Sequence, residues 1–382
     1  MKIGILTFHR PINYGAFLQS YSLSNRLAKI DGFEVEIINY IAPKEQRKIF
    51  INALRALKHN GVRAFMQECK KILVFNNFQK QLKLSKQSFC TNDFDKFFSF
   101  VDKQYDALII GSDAVFNWNQ TGFPTAFIPE YKFKRCIVYS YAASVHGLKY
   151  KDSNKQCIQR CRKSFQQFKI VGVRDCESEK FVRYCYPNAN LVHCCDPTVF
   201  IDIENIYHLS GDISNRLYNK YKFLINEDYI VVMLPDNELN YQICNYYKNR
   251  YHIVTLFKQA KGADYFFYDL NPFEWVSVLS KAKAVVTSYF HGSLLSMKTG
   301  TPVIAVDYSK YDIAYESKMK DLFMTRFKLP HLYFTEEVTF EIIKPTLDDI
   351  LSKGKRFFAD TFKLGFDNEE SYFDKFIETI KG

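Results

Sequence analysis

The feature that most constrains this chain is an alternation, played through twice, of short apolar runs with segments of helical periodicity. The first run, residues 3–8, leads through a loop with Asn13 and Gly15 into the pattern Phe17, Leu18, Tyr21, Leu23, Leu27, and a second run follows at 35–40. Apolar residues three and four apart mark one face of a helix, whereas a short unbroken apolar run marks a buried strand. Strand, helix, strand in that order predicts a parallel, right-handed βαβ unit. Further runs fall at 107–110, 137–141, 170–173 and 191–194, with helical stretches near 154–168 and 177–184. After a polar stretch at 202–228 the alternation starts afresh, with strands at 230–234, 252–257, 284–287 and 302–306 and helices near 238–248 and 272–282.

A chain of 382 residues exceeds what one hydrophobic core usually serves. The pattern therefore predicts the α/β class, with two Rossmann-like domains in a GT-B-like arrangement facing each other across a cleft that holds the chemistry. The expected boundaries are 1–205, with a basic helical insertion near 44–90, then 206–340, then helices over 341–382 that pack back on the first domain. With 47% hydrophobic and 24% charged residues the composition is that of a folded protein. No run approaches the roughly 20 consecutive apolar residues of a membrane span, and the opening segment is too short for a signal peptide. A cytoplasmic protein is expected.

Ten cysteines are scattered without the paired spacing of a zinc site. They read as reduced thiols, with the adjacent Cys194 and Cys195 buried as small hydrophobes, and no metal is expected. The net charge of +11 concentrates at 44–86, where Ile49, Phe50, Ala53, Leu54 and Leu57 recur at helical spacing. This describes basic amphipathic helices. They present either a solvated face or a peripheral contact with an anionic membrane surface, at the inner face of the plasma membrane. No nucleic-acid module is present, and no nucleic-acid partner is expected.

Four strand-end segments place small or polar residues where the chain leaves a sheet. In Asn13-Tyr14-Gly15-Ala16-Phe17-Leu18-Gln19 the glycine allows a tight turn at a helix start. Gly111-Ser112-Asp113 is followed by Phe116, Asn117 and Trp118, an aromatic platform beside a carboxylate that suits a sugar ring, or else a helix cap. Arg174 ends another strand, where its planar fork fits a carboxylate or phosphate, or an ion pair with Asp175 or Glu177. The fourth segment, Thr287-Ser288-Tyr289-Phe290-His291-Gly292-Ser293, sets a histidine at a helix start whose amides attract anions.

In this order the segments resemble the polysaccharide pyruvyl transferase family, most specifically at Phe290-His291-Gly292-Ser293, with Gly111-Ser112-Asp113, Tyr141-Ala142-Ala143-Ser144, Val173-Arg174-Asp175 and Asp196-Pro197-Thr198 beside it. The resemblance implies transfer of a pyruvyl group from phosphoenolpyruvate to paired hydroxyls of a glycan or lipid-linked glycan precursor, as a ketal with release of phosphate, in cell-surface polysaccharide synthesis. Phosphoenolpyruvate is then a donor substrate, and no cofactor is implied. His291 would be the acid and Asp113 the base, with Arg174, Gly292, Ser293, Tyr289 and Ser288 at the donor. Asn13, Tyr14, Gly15, Gln19, Ser112, Asn117 and Trp118 would line the acceptor side. The family's pattern has an arginine two residues before the histidine, where this sequence has Tyr289. Two other functions suit the same residues: a GT-B glycosyltransferase using a nucleotide sugar, and a glycan-binding protein without catalysis.

Overall fold

The computed structural model describes residues 1–206, 217–309 and 316–381. They form two compact units, one of Met1–Phe200, Asp312–Ser317 and Glu369–Gly382, the other of Ile201–Tyr311 and Lys318–Asn368. Residues 207–216 of the polar stretch, and the side chains of Ile49, Phe50 and Ala53, lie outside what is described.

The first unit runs β1 (Lys2–Leu6), α1 (Tyr14–Ala28), β2 (Glu34–Ile41), α2 (Pro43–Phe78), β3 (Leu84–Cys90), α3 (Phe94–Gln104), β4 (Ala107–Ile110), α4 (Trp118–Thr121), β5 (Ile137–Ala143), α5 (Lys155–Phe165), β6 (Phe168–Val173), α6 (Cys176–Cys185) and β7 (Leu191–His193). Its strands form one parallel sheet in the order β3-β2-β1-β4-β5-β6-β7. β4 is buried at every position, as a strand covered by helices on both faces must be. Phe97, Phe98, Phe116, Phe165 and Phe181 fill the core on one face.

The second unit runs α7 (Phe223–Asn226), β8 (Tyr229–Met233), α8 (Glu238–Tyr247), β9 (His252–Leu256), β10 (Tyr265–Phe267), α9 (Pro272–Lys281), β11 (Ala284–Thr287), α10 (Phe290–Lys298), β12 (Val303–Asp307), β13 (Tyr333–Thr335) and α11 (Phe340–Lys381). Its parallel sheet has the order β10-β9-β8-β11-β12-β13. Asn271 and Glu274 form a reciprocal capping box that fixes the start of α9. α11 breaks at Gly354, where φ is 71°, and its last turns from Glu369 belong to the first unit.

The sequence reading took 44–90 as helical throughout, but α2 ends at Phe78 and β3 follows within the same stretch. β3 reads Leu-Ser-Lys-Gln-Ser-Phe-Cys, too polar to announce a strand; it forms because β2 offers a free edge to pair with. β10 and β13, at the two edges of the second sheet, are only three residues long, too short to show a strand pattern. None of the ten cysteines forms a disulfide, and Cys194 and Cys195 are fully buried. Among the described residues no helix is long and apolar enough to cross a membrane.

Candidate functional site

In the first sheet β2 and β4 flank β1 on opposite sides, so the chain reverses its direction of travel across the sheet between β1 and β4. Open α/β sheets bind ligands beyond the carboxyl ends of the strands at such a point. Both loops there carry predicted residues. Asn13 caps α1, its Oδ1 accepting from Ala16 N at 3.2 Å. Tyr14 and Gly15 are buried in the first helical turn, with the Tyr14 ring stacked on Phe75 at 6.0 Å between centroids. Gly111 closes β4 with φ of 118°, and a Cβ there would lie 2.3 Å from the Tyr141 carbonyl oxygen. Only glycine permits that approach. Thr7 Oγ1 donates to the Ser112 carbonyl at 3.2 Å, tying the two loops together, while Ser112 Oγ is buried with no hydrogen-bond partner among the described residues.

Arg174, at the end of β6, is 2% exposed and sits within reach of three carboxylates: Asp196 at 2.8 Å, Asp113 at 3.8 Å and Asp175 at 3.9 Å. Burial alone would make the guanidinium easier to deprotonate, but Asp196, then Asp113 and Asp175, reverse the effect and raise its pKa. Asp175 is likewise pulled below its ordinary value: its burial acts the other way, and the Arg174 charge with hydrogen bonds from Ser144 and Ser178 outweighs it. Asp196 is held by Gln19 Nε2 on one oxygen and by Thr198 N and Oγ1 on the other, at 3.0 and 2.6 Å. Gln19 therefore anchors α1 to the end of the sheet.

Asp113, with φ of 78° and a backbone bridge to Ala143, belongs to this ion cluster. Phe116 is wholly buried, while the partly buried Trp118 turns edge-on against Phe123 and Phe181 at 5.6 and 5.7 Å. Asn117 caps the short α4 and donates to the His146 carbonyl. Apolar rings pack inward wherever the core can take them, which is the more common fate of an aromatic next to a strand end.

The loop after β1 also brings in His9 and Arg10, which the sequence did not single out because they extend an ordinary strand-to-loop exit. His9 is 1% exposed, Nδ1 facing the Thr7 carbonyl at 3.2 Å and Nε2 facing Asn39 Oδ1 at 3.5 Å. Burial, aided by the nearby Arg10 charge, lowers its pKa to about 4. Arg10 donates through Nε and Nη2 to Asn39 Oδ1. Thr7, His9, Arg10, Tyr40 and Phe127 line a concavity of about 320 Å³, open solvent included.

In the second sheet the reversal falls between β8 and β11. His291 stands there, 9% exposed on the first turn of α10, its ring edge-on to Phe290 at 5.2 Å. Tyr289 is the N-cap residue without a side-chain capping bond; its amide donates to Thr287 Oγ1 at 3.0 Å. The residue is 36% exposed; its ring lies 5.6 Å from Phe257, and partial burial raises the pKa of its hydroxyl, which stays a donor at neutral pH. Ser288 turns back, its amide and Oγ both donating to the Met233 carbonyl. Ser293 is already inside the helix: its amide donates to the Tyr289 carbonyl at 3.0 Å and its Oγ faces Met319 Sδ at 3.4 Å. The amide of Ser293 is therefore taken up within the helix. A Cβ on Gly292 would meet Met233 Cε and Thr287 Oγ1 at 2.7 Å, so this glycine seats the helix against the strand ends. Lys318, which the sequence reading passed over, places its ammonium 5.2 Å from the Phe290 ring centroid.

A family model described as polysaccharide pyruvyl transferase matches residues 13–310. The chain belongs to the polysaccharide pyruvyl transferase family. Among curated proteins none matches the sequence. Solved structures similar to this pyruvyl transferase family member include UDP-GlcNAc 2-epimerase from Neisseria meningitidis bound to UDP-GlcNAc, at 7% identity over 100% of this chain and 99% of that one, with a TM-score of 0.59. A glycosyltransferase from Rickettsia africae ESF-5 is 10% identical over 100% and 99% of the two chains, TM-score 0.54. The N-terminal domain of Candida albicans trehalose-6-phosphate phosphatase is 10% identical over 100% and 98%, TM-score 0.51. At such identities the likeness establishes fold: two Rossmann-like units of the GT-B-like class. The family's segments are also explained by the fold. Asp113, Ser144, Arg174 with Asp175, and Asp196 follow the ends of the successive strands β4, β5, β6 and β7 and are tied into one cluster of hydrogen bonds and ion pairs.

Proposed function

We propose that the protein transfers a pyruvyl group from phosphoenolpyruvate to a pair of hydroxyls on a glycan or lipid-linked glycan precursor, releasing phosphate and leaving a cyclic ketal. The observation that carries this reading is the position of His291, in the family's most specific segment, on the first turn of a helix at the sheet's reversal point. A helix start offers amide donors and positive potential to a phosphate or carboxylate. Lys318 adds a charge beside it, and the Tyr289 hydroxyl stands where the family's pattern has an arginine. His291 gives its proton to the donor's methylene carbon, one acceptor hydroxyl adds to the neighbouring carbon, and the second hydroxyl displaces phosphate. The first hydroxyl's proton passes to the His291 imidazole, just deprotonated, and the second hydroxyl's proton leaves on the departing phosphate, so charge and atoms balance. Histidine is the side chain most often used for general acid catalysis, and it suits that first step.

The substitution His291→Gln keeps size and a hydrogen-bond donor but releases no proton. Donor affinity by calorimetry should persist while phosphate release in single turnover falls roughly 100-fold or more. Near wild-type turnover would end the proposal. A second reading, transfer from a nucleotide sugar, is favoured by Tyr289 in place of arginine and by the Phe257–Tyr289 ring pair, which offers stacking more than charge. Consumption of a UDP-sugar without phosphoenolpyruvate would select it.

A further inference from the structure

We infer that α2 seats the protein on an anionic phospholipid bilayer, with its apolar outer face entering the headgroup boundary and its basic side chains meeting lipid phosphates. The inference stands independently of the transfer chemistry. α2 has an inner face that the fold uses: Phe75 and Phe78 are 1% and 5% exposed and pack on Phe17 of α1 at 6.0 and 5.1 Å between centroids. On the other side Val62, Met66 and Leu73 are 65%, 65% and 64% exposed. At about 100° per residue these three fall within about 40° of one another and roughly opposite Phe75 and Phe78. Core packing is complete without them.

The N-terminal half, before the break at Gly61 where φ is 78°, repeats the pattern with Ile51, Leu54 and Leu57 all exposed. Around these apolar positions α2 carries eight lysines and arginines against two acids, Glu45 and Glu68. Arg63 and Lys70 border the outer stripe at about 100° and 80° from Val62. A solvated helix has no use for so much exposed apolar surface. A nucleic acid would answer the charge and leave the apolar stripe in water. A second copy would answer the stripe, but its own basic helix would be brought against this one. An anionic bilayer answers both features at once, as interfacial amphipathic helices do.

The test uses the full chain and vesicles of phosphatidylcholine with or without phosphatidylglycerol. Co-sedimentation should require phosphatidylglycerol and weaken as salt rises. The pair Arg63→Glu and Lys70→Glu should lower vesicle affinity roughly tenfold or more. The triple change Val62→Ser, Met66→Ser and Leu73→Ser should also release the protein, and both variants should keep the wild-type circular dichroism because every altered side chain is exposed. Equal partition onto phosphatidylcholine alone, or full binding by both variants, overturns the inference. Loss of vesicle binding together with a concentration-dependent dimer that the serine variant abolishes would give the face to a second copy instead.

Discussion

At the scale of single residues, the buried polar groups matter most, because each must be answered within the fold. Arg174 is the extreme case, a guanidinium with 2% exposure whose nearest carboxylate oxygen, on Asp196, is 2.8 Å away. Removing one partner of a buried pair costs more than the pair is worth, since the other charge stays buried. Asp196→Ala also strands Gln19 and Thr198. It should lower unfolding free energy by roughly 3–5 kcal/mol, read from urea denaturation; a midpoint within error of wild type would show that Asp113 and Asp175 suffice. His9 sets a pH dependence of defined sign. Its folded-state pKa is lowered from 6.5 to about 4, chiefly by burial. Between those values the unfolded chain binds the proton and the native chain does not, so stability falls as pH drops from about 6.5 toward 4, by about 3 kcal/mol in all. Asp175, whose pKa is also lowered, adds a further loss below that window. His9→Gln should flatten the first part of this decline; parallel urea midpoints for variant and wild type from pH 7 to 4.5 would remove His9 as its source.

At the scale of elements, the candidate site residues lie at strand ends, and what the sequence reveals follows from that. Buried parallel strands are apolar at every position, so β4, β8 and β11 stood out, and with them the loops where Gly111 and His291 lie. Edge strands such as β3 get their pairing from a neighbour and leave little trace in their own residues. The candidate site was legible in part. Family-like segments stand in the right order, but what their side chains touch does not show in the sequence: Gln19 donates to Asp196, and the partly buried Trp118 turns edge-on against Phe181. Polarity says that a side chain needs a partner, and only the fold says whether that partner is inside. Gly292 also carries a packing demand that its place in the sequence does not show. Gly292→Ala should force α10 away from Met233 and Thr287, costing roughly 1–3 kcal/mol and displacing His291 with it. A thermal midpoint lowered together with turnover is expected; unchanged values for both would mean the helix has room to spare.

At the scale of the whole molecule, the path of α11 ties the last residues of the chain to the first unit. Before the break at Gly354 the helix packs within the second unit, and from Glu369 onward it belongs to the first. Phe373 and Phe376 set their rings against Tyr141 at 5.9 and 4.9 Å, and Phe373 also meets Phe200 at 4.7 Å. Phe373 and Phe376 are 2% and 0% exposed, and truncating a buried phenylalanine typically costs 3–5 kcal/mol. The first sheet is therefore left uncovered over β5 until the final turns dock, although nearly all of its residues come first in the chain. A chain ending at residue 368 should lose this cover while keeping every strand of the second sheet. Hydrogen exchange read by mass spectrometry should then show β5 and β6 opening far more readily than in the full chain, with β8, β11 and β12 still protected. Wild-type protection of β5 in the shortened chain would mean that the first unit is stable without its closing helix; equal loss in both sheets would mean that the two units do not open separately.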